Sequence, residues 1–177
     1  AFEDFSSSKS TEKDTVVAIS ASGTARYVVE ILRLAKNAGC KTVAVTSNDK
    51  SKIAEFADIV IFTPTGAEAV SGSTRMKAGT AQKLVLNMLT TASMIKIGKV
   101  YKNYMIDVRP TNEKLKKRAV SIVAAVADCP EEHAIEVLSS NGFNVKHAVL
   151  QIKEGISFEE ASSLLEENSG ILRLALG

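Results

Sequence analysis

Tryptophan is absent from this chain of 177 residues, and all aromatics together make up only 5% of it. The core must therefore be aliphatic. The few aromatic rings do not alternate with basic residues, so a base-stacking surface for nucleic acid is excluded. Net charge is equally scarce, because 22 Lys and Arg face 20 Asp and Glu and leave a balance of +2, too small and too evenly spread for nucleic acid. The two cysteines, Cys40 and Cys129, form no CxxC pair, and His133 and His147 stand alone. Two inert, reduced thiols are expected, with no disulfide framework and no metal site. No apolar run reaches the length of a membrane span, and the polar start AFEDFSSSKSTEKD lacks the signal-peptide pattern. A cytoplasmic protein without a membrane partner is the expectation.

With 45% hydrophobic residues, the chain can build one globular domain, or one with a small appendage. Residues 1–14 are polar, serine-rich and aperiodic, which reads as a tail or linker. Three short β-branched runs follow, at Thr15–Ser20, Thr42–Thr46 and Asp58–Thr63, of the kind found in strands buried on both faces. Between them lie a helix over Tyr27–Ala38, with Val28, Ile31, Leu32 and Ala35 on one face and Gly39 as its stop, and a short helix from about Ser51 to Ala57. This alternation predicts βαβ units, an α/β fold and a parallel sheet.

Ligands of such sheets bind at the carboxyl ends of the strands. That rule selects the loops Ser20 to Thr24, Thr46 to Asp49 and Thr63 to Thr74, which together concentrate hydroxyls on one edge. A phosphate or a polyol is the ligand such an edge suits. In the first loop, Ser20, Ser22 and Thr24 surround Gly23, where backbone can approach an anion closely. The loop matches neither GxGxxG nor the P-loop, which removes dinucleotides and nucleoside triphosphates. Its plainer reading is a small-residue turn with a capping hydroxyl.

The stretch Ser71 to Gly98 joins a basic, hydroxyl-rich turn to a long helix. Leu84, Val85, Met88, Leu89, Ala92 and Ile95, with Met76 at the start, recur at three- and four-residue intervals and predict a wide buried face. Ser73 or Thr74 is expected to cap the helix, and Arg75 and Lys77 sit where cations oppose the dipole unless an anion holds them. Glu68, just upstream, is open to two readings: an acid-base or sugar-orienting carboxylate with a pKa raised by partial burial, or a loop residue or helix-capping partner for Arg75.

Beyond Gly98 the pattern turns to helices alone. Thr111 or Asn112 caps one that runs to about Ala127, and shorter helices are predicted over Glu131–Ser139, Val145–Lys153 and Ser157–Glu167, the last with an S-x-x-E capping box. The expected organisation is thus a tail at 1–14, an α/β layer at 15–100 and a helical subdomain at 101–177.

The block GAEAVSGSTRMKAGTAQKLVLNMLTTASMIKIGKVYKNYMIDVRPTNEKL, Gly66 to Leu115, closely resembles bacterial N-acetylmuramic acid 6-phosphate etherases, members of the sugar isomerase (SIS) superfamily to which the glucokinase regulatory protein is also related. The resemblance runs from about Asp14 to the C-terminus. It implies a SIS-like sheet with a helical C-terminal subdomain, a sugar-phosphate substrate and no cofactor. It also implies cleavage of the D-lactyl ether by elimination and hydration during peptidoglycan recycling. A homodimer or higher homo-oligomer is expected because half a sheet leaves an unpaired strand edge that invites a partner copy. Ser20, Ser22, Gly23, Thr24, Ser73, Thr74 and Lys77 are the residues expected to bind substrate; the catalytic acid and base are not identified, with Glu68 as a candidate. Two departures stand out. The family's ASGRTPY turn reads Ala21-Ser-Gly-Thr-Ala-Arg-Tyr27 here, and the family's N-terminal half, with its acid and base glutamates, has no match. A non-catalytic sugar-phosphate sensor is the alternative, and a third reading makes the helical tail a partner-binding unit.

Overall fold

The computed structural model describes residues 1–177. They divide into two compact units, Ala1–Leu89 and Thr90–Gly177, a division that falls inside a helix.

In the first unit, β1 (Thr15–Ile19), β2 (Lys41–Thr46) and β3 (Ile59–Phe62) form a parallel sheet in the order β1-β2-β3. The register sets Val17 beside Val43 and Val43 beside Ile59. The expected parallel α/β layer is therefore present. On one face of the sheet Ala18 and Ala44 pack with Leu32 of α2 (Arg26–Asn37) and Ile53 of α3 (Lys52–Phe56). Helix α2 stops as anticipated: Gly39 takes φ +81, its N–H donates to the Lys36 carbonyl, and that of Cys40 donates to Ala35. This paired closure with a left-handed glycine satisfies two carbonyls that the helix end would otherwise orphan.

Three expectations for this unit need correction. The sequence predicts all three strands to be buried, yet only the central β2 is, from Thr42 through Thr46. On β3, Ile59, Val60 and Phe62 are 58%, 41% and 44% exposed, and Val17 on β1 is also open. The two outer strands lack a neighbour on one side, and β-branched composition cannot report that. Residues 1–14 are not all tail, since Phe2–Ser8 form helix α1, with Glu3 and Asp4 in its first turn and Lys9 closing it in the left-handed region. About two turns is too short for periodicity to reveal. Finally, α4 (Lys77–Lys96) buries only Ala78 and Val85. Met76, Leu84, Met88 and Ile95, predicted to be covered, are about half exposed or more. Spacing identifies residues that share a face but not whether anything covers it.

In the second unit, a small antiparallel hairpin, β4 (Val100–Tyr101) and β5 (Tyr104–Met105), precedes five helices, so the region is not helical alone. Its turn contains Lys102 at φ 53, a conformation ordinarily signalled by Gly or Asn, which explains why the sequence hid it. The helices are α5 (Glu113–Ala127), α6 (Glu131–Ser140), α7 (Val145–Glu154), α8 (Phe158–Glu167) and the unforeseen α9 (Leu172–Ala175). Asn112 caps α5 by accepting from the Leu115 N–H at 2.9 Å, and Ser157 with Glu160 forms the full capping box of α8. Val123, Leu138, Val149, Leu150 and Leu172 lie at the centre of one aliphatic core.

Candidate functional site

The loop after β1 is held from beneath by the segment that follows β2. The Ala21 carbonyl accepts from the Ser47 N–H at 3.0 Å and from Thr46 Oγ1 at 3.2 Å. The Asn48 amide donates to the Ser22 carbonyl at 3.2 Å, and the Ile53 N–H donates to the Gly23 carbonyl at 3.2 Å. With its carbonyls turned down into these bonds, the loop presents hydroxyls upward. Ser22 Oγ and Thr24 Oγ1 are 3.0 Å apart and exposed, while Ser20 Oγ accepts from the Gly23 N–H at 3.1 Å.

Gly23 is the residue this loop cannot do without. It adopts φ +65, and a Cβ added there would fall 2.2 Å from the Cβ of Ser51 and 2.5 Å from its Oγ. Ser51 is 2% exposed and tucked under the loop, with its hydroxyl unpartnered. Neither Ser51 nor Asn48 could be picked out as a loop support from sequence, because contacts across two βα connections are not periodic.

Above Gly23 begins α2, whose N-cap Ala25 supplies no side-chain hydrogen bond. The first intrahelical N–H is that of Val29, donated to Ala25, so the N–H groups of Arg26, Tyr27 and Val28 face out of the helix end next to Ser22 and Thr24. There is no acidic residue in that turn. Exposed hydroxyls, free N–H groups and a helix dipole meet at one point, an arrangement suited to an oxyanion.

The second anticipated anion floor, at α4, is already occupied by the chain itself. The carboxylate of Glu68 accepts from the N–H groups of Lys77 and Ala78, both at 3.0 Å. These two bonds, with the Lys77 charge as a lesser cause, hold the Glu68 carboxyl below its ordinary range, opposite to the raised value expected of an acid-base group. Ser73 and Thr74 do not cap the helix; they lie in the preceding turn, where the Thr74 carbonyl accepts from the Gly79 N–H. Of the expected hydroxyl edge, Thr46, Ser47, Thr63 and Thr65 are joined in one network, Ser47 Oγ lying 3.0 Å from Thr63 Oγ1 and 3.3 Å from Thr65 Oγ1.

The Glu68 cap has a pH signature. A carboxyl whose pKa is depressed on folding stabilises the fold above its unfolded pKa, and that stabilisation is lost as pH falls through the folded value. Glu68→Gln should therefore lower the melting temperature at pH 7 and approach wild type below about pH 4. Equal differences at both pH values would show that the carboxylate does not act as a charged cap.

The SIS domain profile matches residues 2–92, just over half of the chain, and that of the C-terminal lid domain of glucokinase regulatory protein matches 102–158. The chain belongs to the SIS domain family. It is 48% identical over 174 residues to the N-acetylmuramic acid 6-phosphate etherase of Vibrio atlanticus, covering 98% of this chain and 57% of that protein. The corresponding figures are 49% over 173 residues, 98% and 55%, for N-acetylmuramic acid 6-phosphate etherase 2 of Vibrio cholerae, and 49% over 174 residues, 98% and 57%, for the Alkaliphilus metalliredigens etherase. The resemblance to etherases thus extends over nearly the whole chain, while the chain spans little more than half the length of these relatives. No helix is long and apolar enough to cross a membrane.

Proposed function

We propose that this SIS domain chain binds the phosphate of an amino-sugar phosphate at the start of α2, through Ser22, Thr24 and the backbone above Gly23, with Ser20 shaping the loop. The open helix end beside two exposed hydroxyls is the observation that carries this reading. Because Glu68 takes the N–H groups of α4, Ser73, Thr74 and Lys77 are assigned to the sugar and to charge compensation rather than to a helix-bound phosphate. The organisation follows the same division: the α/β layer up to about residue 100 holds the ligand, and residues 101–177 form a separate helical subdomain.

The proposed reaction is cleavage of the D-lactyl ether of N-acetylmuramic acid 6-phosphate, the compound in the relatives' names. A base removes the proton on the carbon next to the open-chain aldehyde, and the carbon–oxygen bond to the lactyl group breaks. An acid protonates the departing D-lactate, and water then adds across the double bond to give N-acetylglucosamine 6-phosphate. This is carbon–oxygen lyase chemistry without a cofactor, placed in the cytoplasm in the recycling of peptidoglycan sugars, by a homodimer or higher homo-oligomer. A phosphate held away from the reacting carbons supplies positioning, and the acid and base lower the barrier.

The second reading, a non-catalytic sugar-phosphate sensor, draws support from Glu68, whose carboxylate is engaged as a cap rather than poised to take a proton. Incubation of the chain with N-acetylmuramic acid 6-phosphate and coupled detection of D-lactate separates the two. Lactate released in proportion to enzyme is the expected outcome. Binding without lactate would leave the sensor, and no binding would overturn both.

A further inference from the structure

The hydroxyls at the carboxyl ends of β2 and β3 have their protons assigned by the bonds they make. Thr63 Oγ1 donates to the Thr46 carbonyl at 3.2 Å, and because a carbonyl can only accept, the direction of the whole row is fixed from that end. Ser47 Oγ, 3.0 Å from Thr63 Oγ1, must then donate to it. With its own proton spent, Ser47 accepts from Thr65 Oγ1 at 3.3 Å. The row therefore runs from Thr65 to Ser47 to Thr63 to the carbonyl, and Thr65 Oγ1 at its open end gives its proton inward while keeping its lone pairs. All three side chains are half-buried.

The neighbouring donors are spent as well. The N–H groups of Ser47, Thr63 and Thr65 donate to the carbonyls of Ala21, Thr46 and Thr63. That of Asn48 donates to Thr46 Oγ1, while the Asn48 side chain gives its amide to the Ser22 carbonyl and accepts at Oδ1 from the Lys50 N–H. The Lys77 ammonium, 3.7 Å from where a Cβ on Gly66 would stand, donates to none of the three hydroxyls, and its charge disfavours a second cation beside Thr65. Across the bond from Ser47 to Ala21, the start of α2 is the reverse, with N–H groups and a helix dipole that seek negative charge. One sheet edge thus offers donors at α2 and acceptors at Ser47 and Thr65.

We propose that Thr65, backed by Ser47, is a specificity-determining residue of the sugar-phosphate site and accepts a hydrogen bond from a neutral donor of the ligand, either a sugar hydroxyl or an amide N–H. The ligand lies with its phosphate on α2 and its neutral donors toward β3. This assignment rests on the sugar-phosphate reading of the α2 loop and adds how that ligand is told apart from a bare anion.

Nitrogen-15 NMR titration of the full chain with N-acetylglucosamine 6-phosphate, glucose 6-phosphate and inorganic phosphate tests it. The N-acetylated sugar phosphate is expected to shift the amides of Ser47 and Thr65 together with those of Ser22–Thr24, whereas inorganic phosphate shifts Ser22–Thr24 alone. Equal affinity for glucose 6-phosphate names a hydroxyl as the donor, and weaker affinity names the amide. Thr65→Val, which is nearly isosteric, should weaken binding of N-acetylglucosamine 6-phosphate about three- to tenfold, the loss of one neutral hydrogen bond, without weakening that of inorganic phosphate. Thr65→Ser should restore it. Unchanged sugar-phosphate affinity in Thr65→Val, or equal weakening of both ligands, would overturn the assignment while leaving the phosphate loop intact. Silence at Ser22–Thr24 with every probe would overturn the sugar-phosphate reading itself, and this assignment with it. If Thr65→Val fails to fold, the Ser47 and Thr65 shifts of the wild type decide.

Discussion

Gly23→Ala is expected to cost about 2–5 kcal/mol of folding stability and to abolish sugar-phosphate binding at the start of α2. Two effects add. A left-handed φ costs a residue with a Cβ about 1–2 kcal/mol, and overpacking against a rigid neighbour costs about 1–3 kcal/mol. The neighbour here is the Cβ of Ser51, 2.2 Å from where the methyl would stand, at the start of α3 and with almost no exposure. Relief by movement would break the Ile53 N–H bond to the Gly23 carbonyl, and with it the pose of Ser22 and Thr24. Urea unfolding reads the first effect and calorimetric titration with N-acetylglucosamine 6-phosphate the second. A variant within about 0.5 kcal/mol of wild type would show that the loop accommodates a side chain and that the glycine argument is mistaken.

The second large effect belongs to the helical unit. Leu150 on α7 is fully buried, and truncation to alanine should remove about 2–5 kcal/mol, the range for a leucine deleted from a core that relaxes only in part. Leu174 on α9, 57% exposed, is the control and should change stability by no more than about 0.5 kcal/mol on the same substitution. Both are read from the midpoint of urea unfolding at constant slope. If Leu150→Ala cost less than Leu174→Ala, the aliphatic cluster of α5, α6 and α7 would not be the stabilising centre of its unit.

The loop geometry on which the proposed site rests was legible in advance, and the reasons are local. Ser20, Ser22, Gly23 and Thr24 lie on the strand-to-helix loop that the βαβ pattern selects, and the structure puts them beside an open helix end. The turn before α4 misled because a serine and a threonine near a helix start resemble caps, whereas the cap came from Glu68, nine residues before Lys77. A carboxylate that far upstream reaches the helix only through the conformation of the intervening turns, and no spacing rule describes it.

The parallel α/β layer, the closure of α2 at Gly39 and the caps at Asn112 and Ser157 were decided by the amino-acid sequence alone, because backbone propensity and hydrogen-bond capping act within a few residues. Tertiary structure alone decided that β2 is central and β3 exposed, that the apolar stripe of α4 lies open, and that Glu68 occupies one helix end while α2 keeps the other free. Burial and charge compensation depend on which distant segments come to lie alongside, and that is settled only when the chain has folded.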